Sequence, residues 1–90
     1  MTVARRTVRI ENRRGLHARA SAKFVTLASA QPVALTVEKD GTAVTATSIM
    51  GLMMLGAAKG DSIVIHAEGD GAEAAVDALA QLVQDRFGED

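Results

Sequence analysis

The chain of 90 residues has no cysteine, tryptophan or tyrosine, and its only aromatic residues are Phe24 and Phe87. The lack of cysteine excludes disulfides, thiolate metal ligands and cysteine nucleophiles, and it fits a reducing cytoplasm. So few aromatic rings argue against stacking on nucleic-acid bases. Apolar runs of about 18 residues and a signal-peptide core are also missing, so we expect a soluble cytoplasmic protein without a membrane segment.

Basic residues are concentrated at the N-terminal end, although the net charge is only −1. The balanced total argues against general nucleic-acid binding. Seven of the ten basic residues precede residue 24, where the only acid is Glu11; they are Arg5, Arg6, Arg9, Arg13, Arg14, Arg19 and Lys23. This distribution fits a bound phosphate-sized anion or an acidic partner, and it fits solvated strand arginines equally well.

Hydrophobic periodicity predicts the order β-α-β-β-α-β-α in a single domain over residues 1–90. Pro32 stops the first helix, Asp40-Gly41 indicates a hairpin turn, and Asp70 with Glu73 resembles a capping box. The predicted elements are strand 3–10, helix 18–30, strands around 33–37 and 44–46, helix 49–55, strand 63–67 and a last helix with apolar residues from Ala72 to Val83. Alternating polar residues in the strands imply an α+β sheet with one wet face and one face covered by helices.

The segment Gly15-Leu16-His17-Ala18-Arg19 lies between the first predicted strand and the first predicted helix. We expect a turn over residues 12–15, where Gly15 permits a tight approach before the helix. A helix N-terminus presents free backbone N–H groups and about half a positive charge to an anion. A neutral imidazole is a nucleophile that needs no general base. We therefore expect an exposed His17 that accepts a phosphoryl group, since such transfer depends mainly on positioning and charge stabilisation.

Arg19 is the candidate phosphate-binding side chain next to that histidine. Residues two apart do not face each other within a helix, so contact requires His17 to be the cap, with Arg19 folding back over the terminus. A solvent-exposed helix arginine is the alternative. The two histidines, His17 and His66, are far apart, and with no cysteine they predict no metal site. The glycines form neither a P-loop nor a dinucleotide fingerprint, so we expect no cofactor.

A second group of candidates follows Thr47. Ser48 is suited to cap the short helix, a role worth about 1 kcal/mol, and a phosphate there would place charge beside an apolar surface. Ile49, Met50, Met53 and Met54 point outward if Leu52 and Leu55 face the core. Exposed methionines form an adaptable contact surface, although methionine also serves as ordinary core filler.

Two stretches of the chain resemble one protein family. Residues 12–25, NRRGLHARASAKFV, resemble the active-site region of HPr proteins, the histidine-containing phosphocarriers of the phosphoenolpyruvate-dependent phosphotransferase system. Residues 47–60, TSIMGLMMLGAAKG, resemble the regulatory-serine segment of the same family. The similarity covers nearly the whole chain, and the two motifs are in the expected order and at the expected separation.

The resemblance implies an open-faced sandwich of four antiparallel strands with three helices on one face. It implies a monomeric carrier, not an enzyme, in which His17 takes the phosphoryl group from enzyme I at Nδ1 and passes it to a IIA-type acceptor. Arg19 would bind the phosphate, Ser48 would be modified by an HPr kinase/phosphorylase, and Ile49, Met50 and Met53 would dock partners.

One position departs from the family pattern, because Ala20 stands where a proline usually pre-sets the first helical turn. This variant is more similar to the nitrogen-related, regulatory branch, so sugar uptake and a regulatory role both stay open. Two other classes share the element order. A ferredoxin-like regulatory module would not explain His17 and Arg19 at a helix start, and a small acyl-phosphate hydrolase would need a glycine-rich phosphate cradle.

Overall fold

The structure, a computed structural model, describes residues 2–89. Its strands are β1 (Val3–Arg9), β2 (Leu35–Lys39), β3 (Thr42–Thr45) and β4 (Ser62–Glu68). Its helices are α1 (Ala18–Ser29), α2 (Ile49–Met54) and α3 (Ala72–Gln84), followed by a short 3-10 turn, Arg86–Gly88. The predicted order of strands and helices is therefore confirmed.

The four strands form one antiparallel sheet in the order β1-β4-β2-β3. Strand β4 lies between β1 and β2, with Val8 opposite Ile63 on one side and Val37 opposite Ile65 on the other. The β2–β3 hairpin turns at Asp40 and Gly41, which both have positive φ angles, +51° and +84°. Asp-Gly is favoured where two successive residues need that conformation, so the hairpin prediction is confirmed.

The core lies between the helices and one face of the sheet. In β4, Ile63, Ile65 and Ala67 are buried, and the residues between them are more exposed. Alternation of this kind places one face of a sheet on the core and the other in water. The helices contribute stripes at helical spacing, which are Ala20, Phe24 and Ala28 from α1 and Ala72, Ala75, Val76, Leu79, Ala80 and Val83 from α3. The sheet with three helices confirms the predicted α+β fold.

Two local predictions are corrected. Helix α3 does not begin with a capping box, because its N-cap is Gly71 at φ +87° and no side chain caps it. Glycine adopts this left-handed conformation at little cost, so the backbone turn starts the helix without Asp70. Strand β2 begins at Leu35 and leaves Val33 in the preceding bend. Within residues 2–89, none of the helices is long and apolar enough to cross a membrane.

Candidate active site

The loop that leads from β1 to His17 is held by backbone hydrogen bonds to the segment after α2. The N–H of Ile10 donates to Asp61 O at 2.8 Å, and the N–H of Gly60 donates to Ile10 O at 2.8 Å. Farther along, the N–H of Leu16 donates to Ala57 O at 2.9 Å. The residue before His17 is therefore fixed by a neighbour about 40 positions away in the sequence, and not only by helix α1.

Gly15 is required by the close approach of two backbone segments. Its φ angle is +64°, and a Cβ atom placed on it would collide with the carbonyl oxygen of Ala57. Only glycine combines a left-handed conformation with such a close approach at low cost. The tight turn predicted from the sequence at this position is confirmed.

His17 is the N-cap residue of α1, as the phosphate-acceptor hypothesis requires. Its backbone is extended, with φ −75° and ψ −179°, and its carbonyl accepts the hydrogen bond from Ser21 N at 2.9 Å. The side chain does not cap the helix. The amides of Ala18 and Arg19 precede the first intrahelical donor, and both residues are exposed, so these amides are available to an anion beside the ring.

Glu89 also belongs to the site, although no pattern in the sequence indicates it. Its Oε2 lies 2.8 Å from Nε2 of His17, although the two residues are 72 positions apart. Its Oε1 accepts a hydrogen bond from Nδ2 of Asn12 at 3.1 Å. The side chain of His17 is therefore only 15% exposed, so the ring is more covered than we expected from the sequence.

The pKa of the Glu89 carboxyl is lowered from its ordinary value of 4.5. Partial burial is the largest single influence and raises the pKa, because it disfavours the charged form. Hydrogen bonds from Asn12 and His17, with the positive charges of His17 and Lys23, together outweigh it. Glu89 is consequently a carboxylate at neutral pH.

A cleft of about 190 Å³ opens beside this carboxylate, lined by Arg13, Arg14, Arg19 and Glu89. All three arginines are exposed, so their guanidinium groups are free to move toward an incoming anion. Arginine presents a planar fork that can bind two phosphate oxygens at once. The N-terminal arginine cluster therefore converges in part on the helix start, whereas Arg5 and Arg6 pair with Glu38 and Asp77 elsewhere.

Ser48 and the apolar residues after it are placed as the sequence predicted. Ser48 is the N-cap of α2, and its Oγ accepts a hydrogen bond from Gly51 N at 2.9 Å. Leu52 and Leu55 are buried. The exposed fractions are 42% for Ile49, 70% for Met50 and 40% for Met53, so the outward orientation is confirmed. Helix α2 packs against α1, which places this surface on the helix layer that carries His17.

No group of three or more histidine, cysteine, aspartate or glutamate side chains among residues 2–89 is close enough to hold a metal ion. In the described part of the chain, the cleft beside Glu89 combines one carboxylate with three arginines, and this excess of positive charge suits an anion and not a cation. The site can therefore support a nucleophilic imidazole next to positive charge and free amides.

Comparisons with known proteins agree with this geometry. A family model described as "PTS HPr component phosphorylation site" matches residues 4–85. The chain is 43% identical to the phosphocarrier protein HPr of Cupriavidus necator over 84 residues, which cover 93% of this chain and 94% of the relative. It is 39% identical to the phosphocarrier protein NPr of Shewanella violacea over 89 residues, covering 99% and 98%.

Solved structures show the same fold. The crystal structure of an HPr from Thermoanaerobacter tengcongensis superposes with a TM-score of 0.91 at 45% identity, covering 97% of this chain and 98% of that one. An HPr from Bacillus anthracis superposes with a TM-score of 0.88 at 40% identity, covering 93% and 100%. The chain belongs to the HPr family, the phosphocarriers of the phosphoenolpyruvate-dependent phosphotransferase system, and is a carrier and not a catalytic enzyme.

Proposed function

We propose that His17 is the phosphoryl acceptor of this carrier. In this role Nδ1 of His17 takes the group from phosphorylated enzyme I and passes it to a IIA-type acceptor protein. The observation that supports this role is the position of His17 as the N-cap of α1, beside free amides and three arginines. A phosphoryl group bound there faces the positive end of the helix dipole.

The test is phosphotransfer from labelled phosphoenolpyruvate through enzyme I. We expect one acid-labile phosphate on the wild-type chain and none on His17→Ala. The control is His66→Ala, because His66 lies in β4 and pairs with Glu68 at 3.7 Å, away from the helix start. Label retained on His17→Ala, or lost from His66→Ala, would place the acceptor elsewhere.

Arg19 has the proposed role of holding the phosphoryl oxygens. It follows the N-cap by two residues and lines the cleft beside Glu89. Because His17 is the cap and not a helical residue, the usual objection to contact between residues two apart does not apply. The Arg19 side chain is exposed and long enough to fold back over the helix N-terminus when a phosphoryl group is present, where its charge would offset that of the group.

Ile49, Met50 and Met53 are proposed to form the docking surface for enzyme I and the acceptor. These exposed apolar side chains are neighbours on one short helix, and large contiguous apolar patches on a protein surface mark contact sites. Methionine adapts to partners of different shape, which suits a carrier that has to bind a donor and an acceptor in turn.

Ser48 is the proposed site of regulatory phosphorylation by an HPr kinase/phosphorylase. The hydroxyl caps α2 and immediately precedes Ile49. A phosphate there would carry a charge of about −1.5 to −2 next to the docking surface. The modification would therefore act on partner binding, while the interaction of the phosphate with the helix N-terminus leaves the fold in place.

Whether the carrier serves sugar uptake or nitrogen-related regulation depends on which IIA protein accepts its phosphoryl group. Relatives of both kinds match the chain, with HPr and NPr names among them, and Ala20 replaces the usual proline. We propose that this single-domain carrier works as a monomer in the cytoplasm, where phosphoenolpyruvate is made. A panel of sugar-specific and nitrogen-related IIA proteins, offered the phosphorylated carrier, distinguishes uptake from regulation by which acceptor gains label.

A further inference from the structure

The carboxylate of Glu89 links two residues of the His17 loop. One oxygen lies 2.8 Å from Nε2 of His17, and the other accepts from Nδ2 of Asn12 at 3.1 Å. The same Asn12 nitrogen donates to Gly15 O at 2.8 Å. Because both groups near this nitrogen are acceptors, the amide is oriented by its surroundings, and it orients Glu89 in turn.

Asn12 is buried at a cost. Its side chain is fully buried, and its Oδ1 has no hydrogen-bond partner within residues 2–89. Leaving a buried polar atom unpaired costs about 1–3 kcal/mol. An apolar residue would avoid this cost, so what Asn12 contributes is the donor side of its amide, which contacts Gly15 and Glu89.

The C-terminal turn brings Glu89 to this position. Arg86, Phe87 and Gly88 have successive positive φ angles of +57°, +55° and +74°. Left-handed conformations cost about 1–2 kcal/mol for residues other than glycine, so the turn needs support. Phe87 is buried in the core, and Nζ of Lys23 donates to Phe87 O at 2.7 Å. Glu89 is thus presented by an anchored turn and not by a loose chain end.

We propose that Glu89 is a positioning residue for phosphoryl transfer, which holds His17 in the tautomer with its proton on Nε2. A carboxylate accepts a hydrogen bond and cannot donate one, so its contact with Nε2 selects the protonated form of that nitrogen. The lone pair then remains on Nδ1, the nitrogen that takes the phosphoryl group. This inference rests on the proposed role of His17 and extends it to a residue in the last turn of the fold.

The transfer step balances with this arrangement. The Nδ1 lone pair attacks phosphorus, the Nδ1–P bond forms, and the bond from phosphorus to the donor atom of enzyme I breaks, leaving its electron pair on that atom. Nε2 keeps its proton, so the neutral ring becomes a cation. The Glu89 carboxylate faces this new charge and stabilises it, as fixed groups of opposite charge do in active sites. Transfer to the acceptor reverses these changes.

Among residues 2–89, Glu89 is the acidic side chain in contact with the His17 ring. The other charged groups near the pair are Arg13, Arg14 and Arg19, which line the cleft, and Lys23, which acts on Glu89. All of them are positive and would oppose a cationic ring. The three arginines line the cleft beside Glu89, where they are available to the phosphoryl oxygens, and Nζ of Lys23 donates to Phe87 O.

Nitrogen-15 NMR of the His17 ring tests the tautomer without any partner. At about pH 8.5, where an ordinary imidazole is neutral, we expect the wild-type proton on Nε2 and a mixture of tautomers in Glu89→Ala. The matched control is Glu68→Ala, which removes the acidic partner of the other histidine, His66. Thermal denaturation of each variant verifies that it is folded.

Single-turnover kinetics with phosphorylated enzyme I supply the second measurement. We expect Glu89→Ala to slow transfer at saturation at least tenfold while the half-saturating concentration changes less than twofold. Glu68→Ala should alter neither. An unchanged tautomer in Glu89→Ala, or a changed tautomer with an unchanged transfer rate, overturns the proposal. If the wild-type chain accepts no phosphate at all, the proposed function fails, and the NMR result is unaffected by that failure.

Discussion

The backbone of Gly15 lies against the carbonyl oxygen of Ala57 with no room for a side chain between them. The contact joins the loop before His17 to the loop after α2, and the hydrogen bond from Leu16 N to the same oxygen reinforces it. The carbonyl oxygen of Ala57 thus contacts the loop that leads to the proposed phosphorylation site. Ala57 itself lies in the segment that follows the proposed docking surface. A substitution at Gly15 therefore has to affect both stability and phosphoryl transfer.

We expect Gly15→Ala to lower the free energy of unfolding by about 2–4 kcal/mol, because it adds a backbone clash to the left-handed strain. The clash also displaces the N-cap of α1, so the rate of phosphoryl acceptance should fall with it. Chemical denaturation and transfer kinetics on the same preparation check both expectations.

The matched control is Gly56→Ala. Gly56 has nearly the same φ angle, +65° against +64° for Gly15, but a Cβ on Gly56 meets nothing within 4 Å. Its cost should be limited to the backbone strain, about 1 kcal/mol. Equal losses of stability in the two variants would show that the approach to Ala57 contributes nothing.

Arg19→Ala should slow phosphoryl acceptance without lowering stability. A charge-assisted hydrogen bond contributes about 1.5–3 kcal/mol, so the rate should fall roughly tenfold to a hundredfold. Arg19→Lys keeps the charge but loses the planar fork, and its rate should lie between those of wild type and Arg19→Ala.

Arg5→Ala is the control for this loss of charge, since Arg5 lies in β1 and pairs with Glu38 at 3.9 Å. Rapid-quench measurements with enzyme I compare the three variants. A rate for Arg19→Ala equal to that of Arg5→Ala would remove Arg19 from the phosphate site.

The lowered pKa of Glu89 makes stability depend on pH in a defined direction. The folded state holds this carboxyl below its ordinary value of 4.5, so it favours the ionised form more than the unfolded chain does. The resulting stability is fully present above about pH 4.5 and is lost as the pH falls through the folded pKa. Glu89→Gln should therefore be less stable than wild type at pH 6, and the difference should shrink in acid.

Carbon-13 NMR titration of the Glu89 carboxyl measures the same effect directly. His17→Ala removes one hydrogen bond and one positive charge, both of which lower the pKa, so the pKa of Glu89 should rise in that variant. A wild-type value at or above 4.5, or no change in His17→Ala, contradicts the contacts seen at this carboxylate.

The fold and the placement of His17 could be predicted because their causes are local. Alternation in Ile63, Ile65 and Ala67 marks the inner face of β4, Asp40-Gly41 fixes the hairpin, and Gly15 marks the tight turn before the helix. The first two depend on residues adjacent in the sequence. The turn at Gly15 is also visible locally, although the close approach to Ala57 that requires glycine there is not. Ser48 could be placed for the same reason, since a cap and the amide that it binds are three residues apart.

Glu89 could not be predicted, because its contact with His17 depends on the whole fold. The two residues are brought together by the packing of α3, the burial of Phe87 and a left-handed turn at Arg86 and Phe87. No propensity favours that turn, because neither residue is glycine or asparagine. The prediction of an Asp70 capping box was wrong for a related reason. Helix α3 begins at Gly71 in a left-handed backbone conformation, which the pattern of side chains does not reveal.

Ser48→Asp and Ser48→Ala should affect different properties: Ser48→Ala should lower stability, and Ser48→Asp should lower the affinity for enzyme I. Aspartate is also a good N-cap, so Ser48→Asp should change stability by less than about 0.5 kcal/mol, whereas Ser48→Ala loses the bond to Gly51 N and about 1 kcal/mol. For binding to enzyme I, Ser48→Asp should be the more affected of the two variants. A negative charge beside Ile49 and Met50 should weaken the affinity for enzyme I about tenfold, because it adds an unpaired charge to an apolar contact.

Ser62→Asp is the control for added charge, since Ser62 is exposed at the start of β4 and is not part of the proposed docking surface. Isothermal titration with enzyme I gives the affinities, and chemical denaturation gives the stabilities. If Ser48→Asp binds as tightly as Ser62→Asp, charge at this cap does not control docking. The proposed regulatory role of Ser48 would then fail, even though its capping geometry is intact.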